Sequence, residues 1–231
     1  MSHSNESLKE SQNEHHPNEW EIDNLPNRLT MFRVVLIPII LVSLLLVQYQ
    51  IGLGQEKYIS NLTLSYIAAW TFVVASITDY FDGYFARKLK IVTVFGSFLD
   101  PIADKFLVIS SLIMLLALNR VHAVVVLILV LREMYITALR LLAIEKGFSV
   151  PVGTLGKWKT ATQMVGVPLL MAYDVPFGIN MPLIGTIAIM LATIFSLYSA
   201  LEYSLSFVKK VQKIIKQKRK QKKELKSESN A

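Results

Sequence analysis

The stretch DYFDGYFARKLKIVTVFGSFLDPIAD, from Asp79 to Asp104, decides how the rest of this chain is read. It carries four aspartates, Asp79, Asp82, Asp100 and Asp104, in surroundings that are mostly apolar. A helix turns about 100° per residue, so Asp79, Asp82, Gly83 and Ala86 fall within roughly one 100° arc. By the same arithmetic Gly96, Asp100 and Asp104 share a stripe about 80° wide. Two helices would therefore present two carboxylates each across one gap, with Gly83, Ala86 and Gly96 thinning its walls. Four bare carboxylates beside a low-dielectric layer repel one another, and several would stay protonated. Hard divalent cations remove that conflict, because carboxylate oxygens are their natural ligands. The stretch reads as a metal-binding reaction centre at a membrane surface.

The rest of the chain fits that setting. Of its 231 residues 53% are hydrophobic and 18% charged, too apolar a balance for an ordinary soluble domain of this size. Several runs approach the roughly 20 apolar residues that span a bilayer. With no cysteine present, disulfides, thiolate metal sites and a cysteine nucleophile are excluded. Residues 1–23 are polar with acidic positions, unlike the basic-then-apolar pattern of a signal peptide, and read as a disordered segment. His3, His15 and His16 are solvated members of it rather than metal ligands. The run NLPNRLTMFR, from Asn24 to Arg33, suits a short interfacial helix leading into the membrane.

Six transmembrane helices are expected, at about residues 31–48, 62–85, 96–118, 121–144, 155–173 and 183–207. The expected fold is thus an all-α integral membrane protein. Its domain covers residues 24–207, and a basic segment follows over 208–231. Arg132, Glu133, Arg140, Lys157 and Lys159 interrupt the fourth and fifth spans, and such charges face a water-filled cavity or a partner. Arg87, Lys88, Lys90, Arg140, Lys146, Lys157 and Lys159 flank connections on one side; only Lys57 and Arg120 stand near the other. The positive-inside rule puts both termini and the aspartate connection in the cytoplasm. Ten of the 24 Lys and Arg lie between Lys209 and Lys226. That segment lacks interleaved aromatics and follows a span, so it points to anionic headgroups and not to nucleic acid.

The sharpest chemical reading of the aspartates is two-metal phosphoryl transfer, in which paired divalent ions hold a pyrophosphate and neutralise developing charge. Arg87 follows Asp82 by about one turn and would contact the phosphates. Asp104, deepest along its helix, would take a proton from an attacking hydroxyl. The plain alternative makes the acids helix caps and ion-pair partners of Arg87, Lys88 and Lys105. Four acids in two facing pairs, with small residues between, exceed what that alternative needs.

These residues carry a resemblance. The pattern D-x2-D-G-x2-A-R-x8-G-x3-D-x3-D, filled by Asp79, Asp82, Gly83, Ala86, Arg87, Gly96, Asp100 and Asp104, is similar to that of the CDP-alcohol phosphatidyltransferases. Pro26-Asn27, Leu29-Thr30 and Arg33 resemble the N-terminal segment of the family's bacterial glycerol-phosphate branch. So do Leu131-Arg132-Glu133 and the run from Leu155 to Thr160. The resemblance covers about residues 24–207. It implies six transmembrane helices, a homodimer, and two divalent cations, Mg2+ or Mn2+. Asp79, Asp82 and Asp100 are implied as ligands, and Asp104 as the general base and a further ligand. Asn27, Thr30, Arg33, Gly83, Ala86 and Arg87 would receive the CDP donor. The implied reaction moves a phosphatidyl group from CDP-diacylglycerol to an alcohol, sn-glycerol 3-phosphate in this branch, with release of CMP. The implied site faces the cytoplasm from a bacterial cytoplasmic membrane.

A phosphorylated acceptor needs cations, and Arg132, Arg140, Lys157 and Lys159 are the candidates because their helices end on that side. A salt bridge from Arg132 to Glu133 is disfavoured, since adjacent helical residues point about 100° apart. Trp158 reads as an interface anchor. Three rivals remain. A cardiolipin-synthase-like enzyme would use phosphatidylglycerol as acceptor. A divalent-cation transporter would explain the acids but not the cations beside them. A prenyl-diphosphate enzyme shares the metal logic but lacks its DDxxD spacing here.

Overall fold

The computed structural model describes residues 25–54, 59–89, 94–151 and 153–228; the side chains of residues 25–29, 80–89, 94–101, 218 and 220–228 stand outside that description. Among the described residues the chain is helical, with six long helices and one short 3-10 turn. They are α1 (Leu25–Leu53), α2 (Asn61–Leu89), α3 (Val94–Ala117), α4 (Ala123–Glu145), α5 (Thr154–Ala172) and α6 (Met181–Glu228), with the turn at Pro176–Gly178. Each long helix overlaps in sequence one of the six stretches in which a span was expected.

What separates this bundle from a soluble one is the distribution of its side chains. Trp70, Leu141, Ile194 and Leu201 are each at least 60% exposed, whereas Thr30, Arg33, Ser65, Ser111, Gln163 and Ser196 are buried. A greasy exterior around a partly polar interior is stable only where the surrounding solvent is itself apolar. Among the described residues three helices are long and apolar enough to cross a membrane, within Thr30–Leu53, Asn61–Asp79 and Met181–Gln217. In α4 the run is interrupted by Arg132, Glu133 and Arg140.

The core is built from one buried stripe per helix. On α1 the stripe is Leu36, Ile40, Leu44 and Val47; on α2 it is Ala68, Phe72 and Ala75; on α3, Leu107, Ser111 and Leu115. These repeat at three- and four-residue intervals, the period that keeps one helix face inward. Helices α5 and α6 approach most closely. A Cβ added at Gly166 would lie 2.9 Å from Ile189 Cγ1, and one at Gly185 would lie 2.8 Å from Leu170 Cγ. Without a hydrophobic drive between helices in lipid, such small-residue contacts supply the van der Waals attraction.

Two boundaries differ from the sequence reading. The segment before Arg33 forms no separate short helix among the described residues; from Leu25 it is the first part of α1. Pro26 sits in the first turn, where its missing N–H has no intrahelical partner to lose. At the other end, α6 does not stop at residue 207 but continues to Glu228. Lys, Arg, Gln and Glu are good helix formers, so the helix outlasts the apolar run. The α4–α5 connection leans on it there: Phe148 and Phe207 have ring centroids 5.5 Å apart, and Lys210 donates to the Ser149 carbonyl.

Candidate active site

The site begins where three core stripes turn polar. One turn before Leu36, the α1 stripe places Arg33, which is 0% exposed. The α2 stripe of Phe72 and Ala75 continues to Asp79, and the α3 stripe of Leu107, Ser111 and Leu115 begins at Asp104. Arg33 bridges the two acids. Its Nη2 lies 2.9 Å from Asp79 Oδ1 and its Nη1 donates to Asp104 Oδ1 at 2.5 Å. One planar guanidinium thereby joins three helices, which suits its fork of fixed donors. The carboxylates are not sealed in: the Asp79 and Asp104 side chains keep 35% and 39% exposure.

Their open side faces a cavity of about 360 Å³ between α2, α3, α4 and α5. Three acids line it, Asp79, Asp104 and Glu133, together with three cations, Lys105, Arg140 and Lys159. Lys159 continues the buried α5 stripe of Gln163, Gly166, Val167 and Leu170. Its Nζ donates to Glu133 Oε2 at 2.6 Å. The same oxygen lies 3.3 Å from Arg132 Nη1. Arg132 then reaches α6, donating through Nε to the Ser196 carbonyl at 3.2 Å and through Nη2 to Ser199 Oγ at 2.8 Å. The pairing of Arg132 with Glu133 corrects the sequence reading. Their Cα–Cβ bonds do diverge, but both side chains are long enough to curve back over the shared turn.

The donor set suits a hard divalent cation. Asp79 and Asp104 bring oxygen ligands from two helices to one point, and Asp82 and Asp100 stand about one turn away along the same helices. The side chains of Asp82 and Asp100 lie outside the described residues, as do those of Asn27, Gly83, Ala86, Arg87 and Gly96. Among the described residues no three acidic or His side chains gather as a metal site.

The model of the CDP-alcohol phosphatidyltransferase family matches residues 23–198. The chain belongs to that family. Its relatives include three bacterial proteins named CDP-diacylglycerol–glycerol-3-phosphate 3-phosphatidyltransferase. The one from Bacillus subtilis is 38% identical over 184 residues, which are 78% of this chain and 93% of the relative. The one from Rickettsia bellii is 39% identical over 183 residues, 78% and 93% of the two chains. That from Haemophilus influenzae is 33% identical over 185 residues, 78% and 91%.

Within this phosphatidyltransferase fold the candidate acceptor cations separate into three situations. Arg140 and Lys159 line the cavity. Arg132 spends its fork on Glu133 and α6. Lys157 is exposed, beside Trp158 at 61% exposure. Of the candidate donor contacts, Thr30 and Arg33 are fully buried. Sequence reading assigned no role to Glu133 and saw Lys105 only as an ion-pair partner. Glu133 is the acid of the LRE run, and the signal that could have found it is its place as a charge interrupting an apolar helix.

Proposed function

We propose that this chain is a CDP-diacylglycerol–glycerol-3-phosphate 3-phosphatidyltransferase. It transfers a phosphatidyl group from CDP-diacylglycerol to sn-glycerol 3-phosphate, forming phosphatidylglycerophosphate and CMP in phospholipid biosynthesis. The observation that carries this reading is a single cavity in which Asp79 and Asp104 of the family motif meet Arg140 and Lys159. A reaction between a pyrophosphate donor and a phosphorylated acceptor needs both kinds of group side by side. The acceptor itself is taken from the names that the relatives share.

In this reading Asp79, Asp82, Asp100 and Asp104 hold two divalent cations, Mg2+ or Mn2+. Bound there, the cations supply neutralisation of the pyrophosphate and of the departing CMP. Arg87 adds a further positive charge, and Asn27, Thr30, Arg33, Gly83 and Ala86 shape the donor site. Asp104 accepts the proton of the attacking hydroxyl. Arg140 and Lys159 attract the acceptor phosphate, while Arg132 holds Glu133 and Lys157 adds surface charge. The 360 Å³ cavity suits a small polar acceptor better than a second two-chain lipid. A cation pathway is disfavoured by the guanidinium buried across two of its acids.

The six helices are read as six spans of a homodimeric enzyme in the bacterial cytoplasmic membrane, with both termini and the cavity on the cytoplasmic side. Residues 24–207 form the catalytic domain in this reading. Single cysteines at Ser60 and Lys146, two exposed positions, test the orientation with an impermeant thiol reagent. Labelling of position 146 but not 60 in intact cells would overturn it. The activity is tested by CMP release from CDP-diacylglycerol by purified protein, with Mg2+ or Mn2+ and a panel of acceptors. Release with sn-glycerol 3-phosphate alone is expected. Equal release with phosphatidylglycerol, or none with either, would overturn the assignment.

A further inference from the structure

We infer that Arg33 is a built-in counter-ion of the aspartate pair, and that a divalent cation enters this site by exchange against it. The inference rests on the proposed reading of Asp79 and Asp104 as cation ligands. It goes beyond that reading in giving Arg33 a role before any substrate is bound. Three observations carry it. Arg33 is 0% exposed, so its charge is not relieved by water. Its two Nη atoms lie within 2.9 Å of one oxygen each of Asp79 and Asp104. Both carboxylates keep more than a third of their side-chain exposure and line the cavity.

This arrangement addresses a problem that any empty acidic site beside lipid faces. Without a positive partner, two close carboxylates repel, and one takes up a proton or the helices separate. Arg33 offsets the charge of the pair and ties α2 to α3. It also makes a divalent cation compete, since a second positive charge then stands a few ångströms from the first. Lys159 and Glu133 repeat the device on the far wall of the cavity, where a carboxylate holds a cation that an incoming phosphate would need. Arg33 is a positioning residue in this account. It sets the charge and spacing of the pair, and its removal should tighten cation binding, not weaken it.

The test is Mn2+ binding to purified, substrate-free protein, followed by electron paramagnetic resonance, with thermal unfolding measured in chelator and in saturating Mn2+. Arg33→Gln removes the charge and should tighten Mn2+ binding by at least about tenfold. Its midpoint in chelator should fall below that of the wild type, and Mn2+ should restore more of it. Arg33→Lys keeps the charge but loses the fork, and should bind Mn2+ with an affinity between the two. If Arg33→Gln does not fold, Arg33→Lys still decides the matter: weaker binding than wild type would overturn the inference. Unchanged or weaker binding by Arg33→Gln would do the same. Saturable Mn2+ binding by the wild type with no tightening in either variant removes this inference alone. Absence of saturable binding by the wild type removes the cation reading and the inference with it.

Discussion

Two arginines, buried Arg33 and half-buried Arg120, at opposite ends of the bundle, use the same guanidinium in different ways. Arg33 is held by carboxylates, 2.9 Å from Asp79 and 2.5 Å from Asp104, beside an open cavity. Arg120, in the α3–α4 connection, is held by neutral groups. It donates to the Leu170 and Met171 carbonyls at 3.2 and 2.5 Å and to Ser65 Oγ at 3.1 Å, and it lies 4.7 Å from the centre of the Tyr173 ring. Those carbonyls belong to the last turn of α5, whose final C=O groups have no intrahelical donor. Arg120 is therefore a permanent cap, because nothing in a catalytic cycle competes for backbone carbonyls. Arg33 sits on groups that a cation would also seek. The difference teaches that burial alone does not mark a functional cation; the exchangeability of its partner does.

The comparison is sharpest at the aspartates themselves. Asp79→Ala should reduce CMP release to background, and excess chelator should do the same to the wild type. Retained turnover in either case would break the assignment of this end as the reaction centre. Asp104→Asn comes next, since it keeps size and hydrogen bonding but not the carboxylate base. Its turnover should fall by about 10²–10⁴-fold while donor binding persists, read as kcat against the dissociation constant of CDP-diacylglycerol. Loss of donor binding as well would make Asp104 chiefly a ligand.

The cations follow with smaller effects. Lys159→Ala and Arg140→Ala should each raise KM for glycerol 3-phosphate by roughly ten- to hundredfold, the equivalent of one lost charge-assisted hydrogen bond. Arg120→Ala should leave that KM unchanged and instead lower stability by about 2–3 kcal/mol, seen in denaturant unfolding in detergent, because two buried carbonyls lose their donor. A KM effect of Arg120→Ala matching that of Lys159→Ala would collapse the distinction between the two ends. The smallest change is expected from exposed Lys157→Ala, less than about threefold in KM, as for other solvated charges.

Much of this was legible beforehand, for reasons that can be named. The six helices follow from apolar runs broken at Gly and Pro, and the register of Asp79 and Asp104 follows from helical periodicity. The Arg33 bridge was not legible, because it joins residues separated by 46 and 71 positions and no local period encodes such a meeting. Arg120 was read only as a charge on the sparsely basic side; its acceptors are backbone carbonyls, which carry no sequence signature. The Arg132–Glu133 contact was misjudged because backbone direction was taken to fix where flexible side chains end. The full length of α6 was missed because hydropathy, and not helix propensity, set its end.

That length has a physical consequence for the basic segment. A 48-residue helix is about 72 Å long, more than twice the roughly 30 Å of a hydrocarbon layer. The turns beyond Phe207 climb away from the aromatic contact with Phe148 at about 1.5 Å per residue. At physiological ionic strength a surface charge is screened within about 8 Å, and along the axis only Lys209 and Lys210 lie within that distance of Phe207. A helix lying along a headgroup layer would keep its basic residues within that screening length, and one rising from the layer would keep only those at its foot.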